Sequence, residues 1–176
     1  MAKFLVTGTP GTGKTTFCKK FTENNDGYLY VNSSLDIKEN KLYDSFSTKH
    51  DSYEYSLNRV CDYFKNKIHK EKNVIFDTHD PEIVENLIVD GFFDIIIVVQ
   101  CNLEVLYNRY VERGYSEDKI SENLDCERFH EIKHITKNLV NKKTRILIYD
   151  SSIIESTKKY CNFEKIMDEL NKIENS

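Results

Sequence analysis

The segment from Gly8 to Thr15 constrains this chain more than any other part of the sequence. It reads GTPGTGKT, which fits the pattern G-x-x-x-x-G-K-[ST] of a phosphate-binding loop. Glycines allow backbone N–H groups to turn towards a phosphate without a Cβ in the way. Lys14 adds a positive charge, and the hydroxyl of Thr15 can bind Mg²⁺. The segment therefore predicts a site for a nucleoside triphosphate.

The residues on either side supply the structural context that such a loop requires. Residues 3–7 are apolar and β-prone at their centre, as expected of a buried strand. After the loop, Phe17 and Phe21 share one face of a helix predicted over residues 15–23. A strand, a glycine-rich loop and a helix in this order are typical of phosphate binding, and disfavour a turn without chemical meaning.

Strands alternate with helices along the chain, which predicts an α/β fold with a parallel sheet between two layers of helices. Four further strands are predicted, at residues 27–32, 73–77, 94–100 and 145–149. Asp80 and Ser116 are expected to cap two helices, the second of which runs to about residue 141. A terminal helix is predicted over residues 162–173.

Composition indicates one domain over residues 1–176 and excludes several classes of protein. A net charge of −4 provides no overall basic field for nucleic acid. The cysteine count, five, is odd and no pair forms C-x-x-C, which favours reduced thiols over disulfides or a zinc knuckle. No signal peptide is recognised, and the longest apolar run is far shorter than the roughly 20 residues that span a bilayer. We expect a soluble intracellular protein without a membrane partner.

Two polar residues follow the apolar run Val74-Ile75-Phe76. Asp77 ends this strand, at the edge of a parallel sheet where ligands bind, and its carboxylate can hold Mg²⁺ or orient water. Alternatively, Asp77 caps the next turn. His79 can accept a proton or orient water at the same edge. The alternative is a turn histidine that bonds a carbonyl group.

Arg109 and Arg113 are four residues apart and share a helix face next to a break at Gly114. Phosphoryl transfer spreads negative charge over the equatorial oxygens, which guanidinium groups can neutralise. A loop that carries them could close over ATP. The alternative is a pair of solvated surface arginines.

The run from His130 to His134 matches H-E-x-x-H, the signature of zinc proteases. Its predicted helix is polar, and no third metal ligand is recognised. A solvated helix face is therefore favoured over a metalloprotease. The lysines of residues 65–72 are likewise interpreted as a solvated helix end rather than a nucleic-acid patch.

Several short motifs, taken in order, resemble one family. They are residues 8–16, 42–44 (LYD), 74–79 (VIFDTH), 106–109 (LYNR), 113–115 (RGY) and 122–127 (ENLDCE). Over about residues 3–130 the chain resembles the adenylate kinase isoenzyme 6 family, nuclear adenylate kinases that are also ATPases and assembly factors of the small ribosomal subunit. The RGY segment followed by E-N-x-x-C-E is far more specific than the phosphate loop.

The resemblance implies a P-loop fold with five parallel strands in the order 2-3-1-4-5. It implies a monophosphate-binding segment at residues 32–55 and a lid at residues 109–118, with Arg109 in contact with ATP. Asp77 and His79 correspond to the D-x-H pair of the family. The ATP-phosphate site of the family corresponds, in this chain, to Gly11, Gly13, Lys14, Thr15 and Thr16.

Lys38 stands where the monophosphate segment of the family usually has an arginine. A lysine keeps the positive charge but loses the bidentate grip on phosphate. Thr78 replaces an aromatic residue of the family, and the family's Cys and Phe-Phe-Pro-Glu stretch after the histidine is missing.

These observations predict transfer of the γ-phosphoryl group of Mg·ATP to AMP or a similar monophosphate. Lys14 holds phosphates, Thr15 and Asp77 organise Mg²⁺, Arg109 and Arg113 neutralise the transferring group, and Lys38 binds the acceptor. The resemblance also implies ATPase activity, a small-subunit ribosomal protein and the pre-ribosome as partners, and a monomer in nucleus and cytoplasm. One alternative is an ATP-driven assembly factor. Another is a kinase of the shikimate type, but the lid and the E-N-x-x-C-E pattern disfavour this second alternative.

Overall fold

The computed structural model of the protein describes residues 2–48, 52–141, 143–152, 166–168 and 170. Seven strands are found in this part of the chain: β1 Lys3–Thr7, β2 Leu29–Asn32, β3 Ser45–Ser47, β4 Ser52–Glu54, β5 Val74–Asp77, β6 Ile95–Gln100 and β7 Arg145–Asp150. The helices with defined bounds are α1 Lys14–Asn24, α2 Ser33–Glu39, α3 Leu57–Ile68, a 3₁₀ turn Pro81–Val84, α4 Glu85–Val89, α5 Leu103–Glu112, α6 Glu117–Arg128 and α7 Glu131–Leu139.

Five parallel strands form the main sheet in the order β2-β5-β1-β6-β7. Counted along the chain without the small β3-β4 hairpin, this is 2-3-1-4-5, so the predicted order is confirmed. Asp77 of β5 is in register with Val6 of β1 on one side and with Asn32 of β2 on the other. The residues that follow these three strands therefore meet at one edge of the sheet.

Alternate residues of the central strand pack into two separate cores. Phe4 and Val6 of β1 belong to a cluster with Phe17 and Phe21 of α1. Leu5 faces the other way, into a cluster with residues of α3 and α4. Because successive side chains of a strand point to opposite faces, a strand that is apolar throughout requires helices on both sides. The predicted three-layer architecture is confirmed.

The long helix predicted from Ser116 to about residue 141 is wrong. The chain breaks between α6 and α7, where His130 has φ +52°, in the left-handed region that non-glycine residues rarely adopt. The backbone N–H of His130 bonds to Glu127 O at 3.0 Å, and its Nδ1 lies 2.7 Å from Gln100 Nε2. A contact with the end of β6 thus fixes the break, and such a distant contact leaves no periodic signal in the sequence.

Both predicted helix caps are confirmed. Asp80 Oδ1 accepts a hydrogen bond from Glu82 N at 3.0 Å, and Ser116 Oγ accepts one from Lys119 N at 3.3 Å. Residues 166–168 and 170 of the predicted terminal helix are helical, and Ile166 and Leu170 are buried in the α1 layer; its other residues lie outside the described part.

Four of the five cysteines lie in the described part of the chain, and all four are free thiols. This agrees with the prediction of reduced cysteines, while Cys161 lies outside the described residues. None of the helices in the described ranges has the length and apolar character needed to cross a membrane.

Candidate nucleotide-binding site

The glycines of the phosphate loop have conformations that other residues avoid. Gly11 has φ +83°, and Gly13, at φ +100°, is the N-cap of α1. A Cβ on Gly11 would also lie only 2.7 Å from Cε1 of Tyr110 in α5. The loop ends at the amino terminus of α1, where the first N–H groups have no partner within the helix. This arrangement suits a phosphate.

Lys14 is the buried cation of the loop, with only 8% of its surface exposed. Its Nζ donates hydrogen bonds to Gly8 O at 2.8 Å and Thr9 O at 3.0 Å. Burial lowers the pKa of this ammonium to about 8, against the opposing attraction of the Asp77 carboxylate. The charge is thus held inside the loop by carbonyl oxygens, which a phosphate can replace.

Thr15 and Asp77 meet across the site. Thr15 Oγ1 donates to Asp77 Oδ2 at 2.6 Å, and the carboxyl group is 3% exposed. A hydroxyl and a carboxylate, completed by substrate phosphates, are the oxygen ligands that Mg²⁺ prefers. Within the described ranges no group of three His, Cys, Asp or Glu side chains could hold a metal ion, so an all-protein metal site is not indicated there. The residues fit Mg²⁺ bound together with a nucleotide.

Two residues at the end of β2 complete the surroundings of Asp77, and the sequence analysis missed both. Asn32 Nδ2 donates to Asp77 Oδ2 at 2.8 Å, and the Tyr30 hydroxyl donates to the same oxygen at 3.1 Å. Burial raises the pKa of the Tyr30 hydroxyl, which keeps it protonated as a donor. Their spacing of two along a strand was the available signal, because it puts both side chains on one face.

His79 lies in the turn after β5, between Thr78 and Asp80. Thr78 Oγ1 bonds to the backbone of Asp80 in both directions, at 2.9 and 3.0 Å, and so closes the turn. Desolvation lowers the pKa of the imidazole, and the Lys14 ammonium lowers it further, although His79 as a whole is an exposed residue. The imidazole therefore lies within the electrostatic reach of the phosphate loop.

The structure brings both predicted arginines to the loop. Arg109 is half-buried, and its guanidinium donates to Gly11 O at 3.1 Å and to Ser151 O at 3.2 Å. Arg113 is exposed, and its Nη1 lies 3.4 Å from the position of a Cβ on Gly11. The Tyr110 hydroxyl, between them in sequence, bonds to Pro10 O. The lid range 109–118 consists of the last turn of α5, a short connection and the start of α6.

Lys38 and Thr16 have less defined surroundings. Thr16 is exposed in the first turn of α1. Lys38 is exposed in the last turn of α2, and among the described residues no hydrogen bond or ion pair joins its side chain to the phosphate loop. Asn32 Oδ1 caps α2 by accepting from Leu35 N at 3.0 Å, which fixes this helix beside Asp77.

A buried carboxylate, Glu127, also contacts the loop. Its Oε2 accepts from Thr9 Oγ1 at 2.5 Å, and its Oε1 accepts from the N–H of Cys101 at 2.8 Å. The sequence analysis quoted Glu127 as part of a motif but gave it no role. Its polar helix, α6, offered no apolar pattern that would reveal its burial.

The H-E-x-x-H run does not form the helical pair of a zinc protease. His130 precedes α7 in a left-handed conformation, whereas His134 lies inside that helix. Nδ1 of His130 already contacts Gln100. The predicted helix face is therefore wrong at His130, which lies outside α7, and the helical spacing that a zinc protease needs is not formed.

Comparison with known proteins agrees with this geometry. Residues 5–130 match a family described as an AAA domain. An adenylate kinase isoenzyme 6 homolog of Dictyostelium discoideum is 31% identical over 90% of this chain and 87% of its own length. The homolog of the same name in Caenorhabditis elegans is 32% identical over 71% of this chain and 66% of its own length. The chain belongs to the adenylate kinase isoenzyme 6 family. It is thus a member of a nucleotide kinase family, and the predicted resemblance is confirmed.

Solved structures confirm the fold. Shikimate kinase from Acinetobacter baumannii, in complex with shikimate, matches 98% of this chain and 94% of its own length with a TM-score of 0.65. Its sequence identity is only 11%, so the likeness is one of fold alone. The comparison thus supports the three-layer α/β fold, and the function has to be argued from the site itself.

Proposed function

We propose that the protein is an adenylate kinase that transfers the γ-phosphoryl group of Mg·ATP to AMP or a similar nucleoside monophosphate. The observation that carries this proposal is the convergence of Lys14, Thr15 and Asp77 at one edge of the sheet, with Arg109 and Arg113 above the loop. Membership of the adenylate kinase isoenzyme 6 family supports the same conclusion.

The phosphate end of the site works through charges that are already in place. Lys14 exchanges its two carbonyl partners for phosphate oxygens of ATP, and N–H groups of the loop and of α1 bind the same phosphates. Thr15 and Asp77 would hold Mg²⁺, with Asp77 acting directly or through water. When bound, Mg²⁺ neutralises negative charge on the β- and γ-phosphates.

The arginines act on the transferring group. Arg109 and Arg113 bring guanidinium groups to the loop, where they neutralise the charge that spreads over the equatorial oxygens during transfer. A phosphate acceptor needs no strong base. Catalysis therefore consists of positioning and electrostatic stabilisation.

We assign the acceptor to residues 32–55, whose described part contains α2 and the β3-β4 hairpin. The range begins at Asn32, which donates to Asp77 Oδ2. Lys38 supplies the positive charge for the acceptor phosphate from its exposed position on α2. As a point charge it fixes the orientation of the phosphate less strictly than an arginine. Some tolerance among nucleoside monophosphates is therefore expected.

The wild-type protein with Mg·ATP and AMP is expected to form ADP, and shikimate is expected not to replace AMP. A coupled assay for ADP measures this, with each acceptor tested alone for thermal stabilisation. A ligand present at 100 times its Kd stabilises the protein by about 2.7 kcal/mol, whereas a compound that does not bind leaves the Tm unchanged. A folded protein that forms no ADP with AMP would remove the kinase proposal.

A second function is favoured by the position of His79. His79 follows Asp77, the last residue of β5, by two positions, so its imidazole can orient a water molecule at the edge of the sheet where the phosphates bind. We therefore propose slower ATP hydrolysis as a further activity. The family resemblance adds the proposal that this activity is coupled to a small-subunit ribosomal protein and the pre-ribosome in the nucleus and cytoplasm. Alternatively, ATP hydrolysis in the assembly of the small ribosomal subunit is the main role of the protein, and phosphotransfer to AMP is a minor activity.

Replacing His79 with alanine is expected to lower ATP hydrolysis by about 100-fold, the lower range of general acid–base effects, and to lower transfer to AMP far less. Transfer to a phosphate acceptor does not need an oriented water molecule. Release of inorganic phosphate and formation of ADP are measured separately. His69, which ends α3 and bonds to Lys65 O, provides the matched control H69A, with both rates unchanged. Equal losses of both activities in H79A would contradict the separate role.

A further inference from the structure

Glu127 is a buried carboxylate that bonds directly to the phosphate loop. Its side chain is 5% exposed, and its two oxygens accept from different parts of the fold. Oε2 bonds to the Thr9 hydroxyl, and Oε1 bonds to the N–H of Cys101, immediately after β6. Burial of a carboxylate is costly unless hydrogen bonds satisfy it. These two donors satisfy it only while the loop stays in its present position.

Thr9 is the point at which the hydrogen bonds of the loop converge. Its carbonyl oxygen accepts from Lys14 Nζ at 3.0 Å and from Thr12 Oγ1 at 2.9 Å. Its hydroxyl is held by Glu127. A displacement of Thr9 therefore changes both the shape of the loop and the resting position of the Lys14 ammonium.

The same loop is bonded to the two helices that flank the lid. On one side, Tyr110 of α5 bonds to Pro10 O. On the other side, Glu127 of α6 bonds to Thr9, the adjacent loop residue. α6 begins within the lid range and carries Glu127 near its end. Since a helix moves as a rigid element, a tilt of the lid displaces the carboxylate that holds Thr9.

We propose that Glu127 is a positioning residue that couples α6, here called the lid helix because it begins within the lid, to the phosphate loop. This inference rests on the proposed function. Glu127 acts through Thr9 on Lys14, and the interaction stabilises the loop in its phosphate-binding shape when α6 is in place. The family motif that contains Glu127 then has a physical role, because it holds the lid helix and the loop together.

A double-mutant cycle tests this coupling. The variants are T9V, which removes the hydroxyl at nearly constant volume, E127A, the double variant and E127Q. The matched control is T144V, which removes another buried hydroxyl that bonds to Phe93 O at 2.9 Å, away from the loop. For each variant the Kd of a fluorescent ATP analogue, the KM for ATP, kcat and the Tm are measured.

T9V and E127A are each expected to raise the Kd and the KM for ATP about tenfold, as for the loss of a hydrogen bond to a charged group. The double variant is expected to be no worse than E127A, because both changes break one interaction. E127Q recovers most of the affinity, since its amide can accept from Cys101 N and donate to Thr9 Oγ1. T144V lowers the Tm and leaves the Kd unchanged.

The inference is overturned if T9V binds the analogue like the wild type, or if the two losses multiply in the double variant. It is also overturned if E127A lowers only the Tm, which is the result of a purely structural role. Failure of the proposed function looks different, because the wild type itself would form no ADP from ATP and AMP. The analogue titration still decides the role of Glu127 in that case.

Discussion

Replacing Lys14 with methionine is expected to weaken ATP binding by about 100-fold or more while the protein remains folded. The ammonium is the one loop side chain that donates to two carbonyl oxygens at 2.8 and 3.0 Å and can donate to phosphate instead. Each hydrogen bond to a charged group contributes about 1.5–3 kcal/mol, so the loss of two accounts for this factor. A titration with a fluorescent ATP analogue measures the affinity, and thermal denaturation shows that the variant is folded.

The pH dependence of stability and of ATP affinity provides a control for the K14M prediction. Burial lowers the pKa of Lys14 to about 8 in the folded protein, below its value in the unfolded chain. The buried ammonium therefore reduces stability below pH 8, and this cost disappears as the pH rises towards 10.5. K14M lacks the cost, so its Tm at pH 7 is expected to equal or exceed that of the wild type. The wild-type affinity for ATP is expected to fall above pH 8, whereas that of K14M stays flat.

Replacing Asp77 with asparagine is expected to lower kcat/KM for Mg·ATP by about 100-fold or more, the scale of losses when one stabilising group is removed from a charged transition state. Oδ2 accepts from Thr15, Tyr30 and Asn32, and an asparagine can turn its oxygen towards these donors. The fold is therefore kept while the negative charge that attracts Mg²⁺ is lost. Steady-state kinetics over a range of Mg²⁺ concentrations measures the change.

Asp94 offers a matched control for D77N. It precedes β6, and its Oδ2 accepts from Lys3 N at 2.8 Å, so it lies at the opposite edge of the sheet from the phosphate loop. D94N makes the same chemical change away from the site and is expected to affect the Tm but not the Mg²⁺ dependence. Equal kinetics in the two variants would show that Asp77 has no role in organising Mg²⁺.

The layered fold and the phosphate loop could be predicted because their signals are local. The apolar run Ile95–Val99 has to be buried on both faces, and a loop that begins at Gly8 and ends in Lys14 and Thr15 needs a strand before it and a helix after it. Asp77 was predicted from its place at the end of a strand. The strand order came from family resemblance, since no local pattern specifies which strands pair.

Other features escaped prediction because distant contacts determine them. The break at His130 depends on Gln100, thirty residues away in sequence. The burial of Glu127 depends on Thr9 and Cys101, which no periodicity of α6 reveals. The β3-β4 hairpin lies in a polar stretch with weak periodicity, where neither helix nor strand was indicated. All of these features depend on tertiary structure. The contacts of Glu127 with Thr9 and Cys101 lie at the candidate site.

The fate of the γ-phosphate of ATP tests the central claim most directly. The wild-type protein is incubated with Mg²⁺ and ATP labelled in the γ-phosphate, with and without AMP, and the products are separated. The account predicts that AMP moves most of the label into ADP, with slower release of inorganic phosphate when AMP is absent. Label found only in inorganic phosphate, at a rate that AMP does not change, would contradict it.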